Sequence, residues 1–225
     1  MDMGARWAMI TGMGTAMADA DLLRLMQWLS PAFPVGGYAY SHGLEQGVAA
    51  GDVTSPESLC AWLTEILARG AGLADGVLLG AARAGRDDAA DWARALAPSR
   101  ERWIETRDQG TAFALAVAAV GVSVPAGLAL PVAVGIAART LDLPDERVIA
   151  LYLQSFAANL VSVAVRFVPL GQAAGQRVLA ALHPTILSAA TQATRLTPET
   201  NVSAVPGADL AAMRHETMEV RLFRS

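Results

Sequence analysis

One long apolar stretch, residues 145–168, constrains the fold of this chain more than any other feature. It is apolar on nearly every side of a helix, which is typical of a helix at the centre of a protein. Residues 142–146 provide a helix start, with an early proline and acids near the positive end of the helix dipole. The polar exceptions are Gln154, Ser155, Asn159, Ser162 and Arg166. Buried polar groups need partners, so this stripe is expected to be satisfied within the chain or by a second subunit.

Helical periodicity continues through the rest of the chain, and no strand alternation or long repeat is present. A buried helical face is carried by Leu59, Trp62, Leu63, Ile66 and Leu67. Thr54 and Glu57 have the spacing of a capping box before that helix. These patterns predict an all-α fold, a single-domain helical bundle of about eight to ten helices. The predicted boundaries are 1–20 for a flexible N-terminal extension, 21–207 for the helical domain and 208–225 for a C-terminal tail.

Residues 109–138 contain no charged side chain, so a membrane span has to be weighed. The stretch is mostly Ala, Val and Gly, and glycines and prolines between 121 and 131 divide it into two short pieces. We favour two buried helices over a span. The alternative is a small all-helical membrane or ligand-binding protein built on this stretch.

The helix predicted to follow Ser99 carries a run of charges. We interpret Glu101, Glu105 and Gln109 as part of a solvated face. The side chains expected to pack inward are Trp103, Ile104, Phe113 and Leu115.

Composition excludes several kinds of chemistry. All 17 basic residues are arginine, so the chain has no lysine for a phosphate-binding loop or a Schiff base. The formal net charge is −4 with no long basic stripe, which argues against a nucleic acid partner. The single Cys60 suits a reducing cytoplasm. Residues 1–20 lack the continuous apolar core of a signal peptide.

No catalytic or metal site is predicted. The three histidines and Cys60 are scattered along the chain, and no two have a convincing ligand spacing. Ser41 and His42 are neighbours in sequence rather than members of a triad. The chain is therefore predicted not to be an enzyme, although catalysis by Glu45 with Tyr38 or Tyr40 is an alternative that turnover by the isolated chain would reveal.

The stretch Ser30–Gln46 concentrates unusual residues. Pro31 and Pro34 end the preceding helix, and Gly36 and Gly37 permit a turn or a close backbone approach. The polar-tipped residues that follow are Tyr38, Tyr40, Ser41, His42 and Glu45. Either this stretch only connects two helices, or it presents these side chains to a partner.

Three stretches, in this order, resemble the UreF family of urease accessory proteins. They are 22–46, 155–172 and 213–225, and they include the sequences SFAANL, RFVPLGQ, MRHE and RLFRS. The resemblance covers the chain from about Leu22 to Ser225, and residues 1–20 have no counterpart in it.

The resemblance implies a cytoplasmic, all-helical homodimer without catalytic activity. Such a protein binds the scaffold protein UreD (UreH in some species) and the GTPase UreG, and it helps to deliver Ni²⁺ to apo-urease. No cofactor is expected to bind firmly, because Ni²⁺ and GTP would be handled by partner proteins.

Motif positions of the family also imply two groups of binding residues. Those assigned to the GTPase-facing surface are Gly36, Gly37, Tyr38, Tyr40, Ser41, Glu45, Arg166 and Gln172. Those assigned to the UreD-facing tail are Arg214, His215, Glu216, Arg221, Leu222, Phe223 and Arg224. We expect the tail to become ordered on UreD, and its deletion to leave the fold intact.

Overall fold

The computed structural model describes residues 17–168 and 170–225. Within these residues a first helix, α1 (17–28), is followed by ten further α-helices, and no strand is present. These are α2 Leu44–Ala49, α3 Pro56–Arg69, α4 Ala71–Arg83, α5 Ala89–Ala95, α6 Arg100–Ala118, α7 Leu130–Ala137, α8 Asp145–Phe167, α9 Gln172–Ala181, α10 His183–Ala193 and α11 Pro206–His215. Short 3₁₀ helices occupy Gly37–Ala39 and Ala138–Thr140. The all-α prediction is confirmed.

Helix α8 lies at the centre of the bundle, as its apolar sequence predicted. It packs against α4, α9 and α10 and also contacts α2 and α3. Val148, Ile149, Leu153 and Ala157 are almost completely buried. Within the described chain, α8 is the one helix long and apolar enough to cross a membrane, yet half of the apolar segment is buried inside this fold.

The uncharged stretch 109–138 forms two helical pieces, as favoured from its sequence. Helix α6 ends at Ala118, a loop follows, and α7 covers only Leu130–Ala137. The two helices pack on each other, with Gly110 of α6 against the backbone of Leu128 and Ala129. Neither piece is long enough for a membrane span, so this stretch gives the membrane alternative no support.

Local signals place most helix ends correctly. Ser99 accepts a hydrogen bond from the Arg102 backbone N–H and so caps α6. The break expected near His183 separates α9 from α10. The cap of α3 is Ser55, paired with Ser58, rather than the predicted Thr54 with Glu57. Ser58 can replace Glu57 because its hydroxyl also reaches the backbone N–H of Ser55.

The predicted solvated face of α6 is wrong for Glu105 and Gln109, which are buried, whereas Glu101 is partly exposed. Arg102 is buried on the same side, and Leu115, which was expected to pack inward, is 71% exposed. The three buried polar residues share one side of the helix with Phe113, since the spacings are three, four and four residues. That side faces the core, and the polar side chains are kept there by interactions with one another and with the C-terminus.

The structure describes the predicted C-terminal tail in full but only the last four residues of the predicted N-terminal extension. Most of the N-terminal extension, residues 1–16, lies outside the described residues, and residues 17–20 belong to α1. At the other end, residues 206–215 form α11, which packs on α2 and α6. The final residues return to the loop before α2, which brings together two regions that the sequence analysis treated separately.

Candidate partner-binding site

Two consecutive left-handed residues shape the turn that leads into α2. His42 has φ 59° and Gly43 has φ 75°. A Cβ atom at position 43 would lie 2.7 Å from the backbone nitrogen of Ala212 in α11. Glycine is required there both by the backbone conformation and by this close approach. The turn therefore places the start of α2 directly against α11.

The Glu45 carboxylate holds the C-terminal segment. It lies in the first turn of α2 and is only 3% exposed. Its Oε1 accepts the backbone N–H of Leu222 at 2.8 Å, and its Oε2 accepts that of Phe223 at 3.0 Å. Nε2 of His215 lies 3.1 Å from Oε2. One side chain thus satisfies two main-chain donors of a segment without regular structure.

His215 connects Glu45 to α6. It is fully buried, and its Nδ1 lies 2.7 Å from Oε2 of Glu101. Arg221 pairs with the other oxygen of Glu101. Glu216 in turn accepts the backbone N–H of Glu101 at 3.0 Å, which satisfies a donor in the first turn of α6. These contacts fix residues 215–221 along the N-terminal end of α6.

The last residue is inserted into the protein. Ser225 is buried, and its carbonyl oxygen accepts hydrogen bonds from both the N–H and the hydroxyl of Ser41. Its own hydroxyl donates to the Glu105 carboxylate. The backbone N–H of Arg224 donates to the carbonyl of Ala39 at 2.9 Å. We call residues 39–45 together with 215–225 the loop–tail cluster.

An aromatic contact fastens the same segment to the end of α8. The ring of Phe223 lies 5.4 Å from the ring of Phe167, measured between centroids. The Arg166 guanidinium carbon lies 5.8 Å from the centre of the Phe223 ring, within cation–π range. Asn159, further back on α8, donates to the carbonyl of Gly37 at 3.0 Å. The ring of Phe156, also on α8, lies 5.0 Å from the ring of His42, so α8 contacts both halves of the loop–tail cluster.

Buried charges lie beneath the cluster. Arg102 and Glu105 form an ion pair, and Nδ1 of His42 lies 3.9 Å from Glu105. Burial opposes the ionisation of Glu105, but the charge of Arg102 and the nearby imidazole of His42 outweigh it and lower its pKa to about 2. Burial and the charge of Arg102 lower the pKa of His42 to about 4.

Asp75 is the neighbouring carboxyl on α4, and its environment raises its pKa instead of lowering it. Burial raises its pKa to about 6, although a hydrogen bond from the Tyr152 hydroxyl at 2.7 Å and the charge of Arg102 act against this shift. The pKa of Tyr152 lies well above its usual value, mainly because the side chain is buried and also because the nearby charge of Asp75 raises it. Asp75 is thus a half-buried carboxyl whose charge is incompletely compensated.

Comparison with known proteins decides the family. The UreF family model matches residues 53–183. A urease accessory protein UreF of Dinoroseobacter shibae is 54% identical over 209 residues, covering 92% of this chain and 99% of that protein. The proteins of that name from Paracoccus denitrificans and Jannaschia sp. are 52% and 51% identical over 95% and 96% of this chain. The chain belongs to the UreF family.

The residues assigned to the GTPase-facing surface differ in accessibility. Tyr38 is 67% exposed, and Arg166 is also exposed beside it, with its Nη1 3.5 Å from the Tyr38 carbonyl. Gly36 adopts φ 71° before the short 3₁₀ helix. Tyr40, Ser41 and Glu45 are buried. Gln172 is exposed at the start of α9, which packs mainly on α3 and α8 rather than on the loop.

Burial corrects the expectation that Tyr40, Ser41 and Glu45 present their side chains at a surface. Both oxygens of Glu45 accept hydrogen bonds from the backbone of the C-terminal segment, so Glu45 stabilises the loop–tail cluster. The same fact gives no support to Glu45 as a catalytic group. Tyr38 and Arg166 remain accessible to a partner.

The UreF tail residues divide in the same way. Arg214, Leu222 and Arg224 are exposed, with Leu222 at 77%, and Arg221 is partly exposed in its ion pair. His215 and Phe223 are buried within the chain, contrary to their predicted role as surface residues. The contacts of 215–225 also argue against the expectation that deleting this segment leaves the fold intact.

Most of the polar stripe of α8 has hydrogen-bond partners within the chain. Ser155 donates to the carbonyl of Leu29 at 2.7 Å, and Asn159 donates to Gly37. Arg166 bonds within its own helix to Ser162. Of the two possibilities left open by the sequence, internal partners therefore account for Ser155, Asn159 and Arg166.

From the sequence, Ser225 was not assigned to the cluster, nor were Glu101 and Glu105 assigned to the residues that hold the C-terminal segment. A usable signal existed for α6, because Phe113 shares a face with Arg102 and Glu105. Among the described residues, no group of three or more His, Cys, Asp or Glu side chains could hold a metal ion.

Proposed function

We propose that this protein is a non-catalytic urease accessory protein that joins the scaffold UreD (UreH) to the GTPase UreG during nickel insertion into apo-urease. Its membership of the UreF family supports the accessory role. In this proposal it acts as a cytoplasmic homodimer, and Ni²⁺ and GTP are handled by its partners.

The observation that carries the proposal is the direct contact between the two halves of the loop–tail cluster, residues 39–45 and 215–225. Glu45 of the first motif group lies 177 residues before Leu222 of the second, yet it bonds directly to the backbone of Leu222 and Phe223. The exposed side chains of the two groups consequently lie on adjoining parts of one surface. Tyr38 and Arg166 form one part, and Leu222 and Arg224 form the other.

These exposed side chains have suitable chemistry for binding proteins. Tyrosine and arginine are enriched among residues that contribute most to interface affinity. Arg224 can form bidentate contacts with carboxylates, and Leu222 can bury apolar area on a partner. The buried Glu45 and His215 act indirectly, because they determine where these exposed side chains lie.

Co-purification of the variants with tagged UreD and UreG tests the proposal. We expect Tyr38→Ala and Arg166→Ala to weaken capture of UreG by at least tenfold while UreD binding persists. Leu222→Ala and Arg224→Ala should instead weaken UreD binding by a similar factor. A loss of about 1.4 kcal/mol corresponds to tenfold in affinity.

Leu187→Ala is the matched control, since Leu187 is an exposed apolar residue on α10. It should leave both interactions unchanged. Melting curves of all variants separate lost binding from lost folding. Wild-type binding of both partners by all four stably folded variants would refute this assignment of surfaces, and turnover of a substrate by the isolated chain would refute the non-catalytic role.

A further inference from the structure

A cavity of about 190 Å³ lies between the segment that follows α1 and helices α6, α7 and α8. Much of its wall is formed by rings and aliphatic side chains, including Trp28, Phe113, Val134 and Phe156. An apolar cavity of about 150 Å³ accommodates a benzene molecule, so this volume is sufficient for a ring with a small head group.

Two polar groups, the half-buried Asp75 and the buried Arg102, line the same cavity without being fully satisfied. The hydrogen bond recorded for the Asp75 carboxylate comes from Tyr152 and reaches only Oδ2. Arg102 contacts Glu105 through Nη1, but its Nε has no hydrogen-bond partner among the described residues. Arg102 is more than nine-tenths buried. Buried polar groups normally find partners, and an unpaired one is costly.

We infer that this cavity is a binding site for a small neutral molecule with an apolar body and a carboxamide-like head group. An amide N–H₂ would donate to the carboxylate of Asp75, and the amide carbonyl would accept from the guanidinium of Arg102. The apolar body would lie against Trp28, Phe113 and Phe156. Apolar walls with a few convergent polar groups are characteristic of ligand sites.

The charged side chains of the cavity wall favour neither acids nor bases. Asp75 and Glu105 are acidic and Arg102 and Arg166 are basic, so their formal charges cancel and the wall has no net charge to compensate that of an anion or a cation. A neutral amide satisfies both the acceptor and the donor without adding a buried charge. The inference does not depend on the partners assigned under Proposed function.

Three probes with the same ring test the inference, namely benzamide, benzoate and benzamidine. Isothermal titration calorimetry on the full chain at neutral pH should show that benzamide binds at least tenfold more tightly than either charged probe. No measurable binding of benzamide, or equal affinity for all three probes, would overturn the inference.

Two variants locate the bound probe. Ala158→Phe places a ring in the cavity wall and should abolish benzamide binding, whereas Ala118→Phe, on an exposed part of α6, should leave it unchanged. Asp75→Asn preserves the shape of the side chain but presents an N–H₂ donor to the ligand, and should weaken benzamide binding at least tenfold. If Ala158→Phe does not fold, Asp75→Asn decides the outcome, and unchanged benzamide affinity in Asp75→Asn would exclude this site.

Discussion

Nε2 of His215 lies 3.1 Å from Oε2 of Glu45, so the end of α11 and the first turn of α2 share one buried polar contact. The same carboxylate accepts the N–H groups of Leu222 and Phe223. Glu45, which the sequence analysis assigned to a partner-binding surface, therefore stabilises the C-terminal segment. Its replacement should affect stability first and partner binding as a consequence.

Glu45→Gln should lower the free energy of unfolding by about 2 to 4 kcal/mol, because a charged acceptor of several buried donors is replaced by a group with one acceptor oxygen. Urea denaturation at constant pH measures this loss. Glu65→Gln is the control, since Glu65 makes an exposed pair with Arg69 at 3.3 Å and should change stability by no more than about 0.5 kcal/mol. Equal effects of the two substitutions would contradict the supporting role of Glu45.

Removal of residues 221–225 should loosen the loop before α2. The N–H of Ser41 donates to Ser225, and the carbonyl of Ala39 accepts from Arg224, so both lose their partners. Hydrogen exchange should become faster at Ser41 in the shortened protein, while amides in the middle of α8 stay protected. Leu222→Ala, which truncates an exposed side chain and leaves the backbone bonds in place, should have little effect. Unchanged exchange at Ser41 after the deletion would show that the tail does not hold the loop.

Gly43→Ala tests the close approach of α2 and α11. Gly43 and Gly51 both have positive φ, and alanine in that conformation costs about 1 to 2 kcal/mol. At Gly51 a new Cβ would meet nothing within 4 Å, whereas at Gly43 it would lie 2.7 Å from the backbone of Ala212. Chemical denaturation should therefore show that Gly43→Ala is more destabilising than Gly51→Ala by a further 2 kcal/mol or so. Similar losses would mean that α11 can move away without cost.

Asp75→Asn should stabilise the protein at neutral pH. The pKa of Asp75 is raised from 3.8 to about 6, so its contribution to stability is fully present below about pH 4 and is lost as the pH rises through 6. A shift of about 2 units corresponds to about 3 kcal/mol at most. Asparagine stays neutral and can still accept the hydrogen bond from Tyr152.

The stability difference between Asp75→Asn and the wild type should therefore grow between pH 4 and pH 7. Measuring the difference removes the contribution of His42, whose lowered pKa makes the fold lose stability as the pH falls from 6.5 towards 4. Thermal unfolding across this range provides the test. A constant difference would show that Asp75 has an ordinary pKa in the folded protein.

The sequence by itself determined the helices. Helical periodicity, prolines and glycines act over a few residues, and they correctly predicted the all-α class, the extent of α8 and the break at His183. Motif resemblance, which depends only on residue order, identified the UreF family. These features are local or linear, so no tertiary contact is needed to recognise them.

Only the tertiary structure decided which polar residues are buried and which can meet a partner. Ser41 bonds to a residue 184 positions away, and no local pattern encodes that distance. A charged helix face such as that of Arg102 and Glu105 resembles a solvated one until the packing provides its ion pairs. The physical reason is that the cost of burying a charge depends on groups brought near by the fold, whereas helix formation depends mostly on neighbours along the chain.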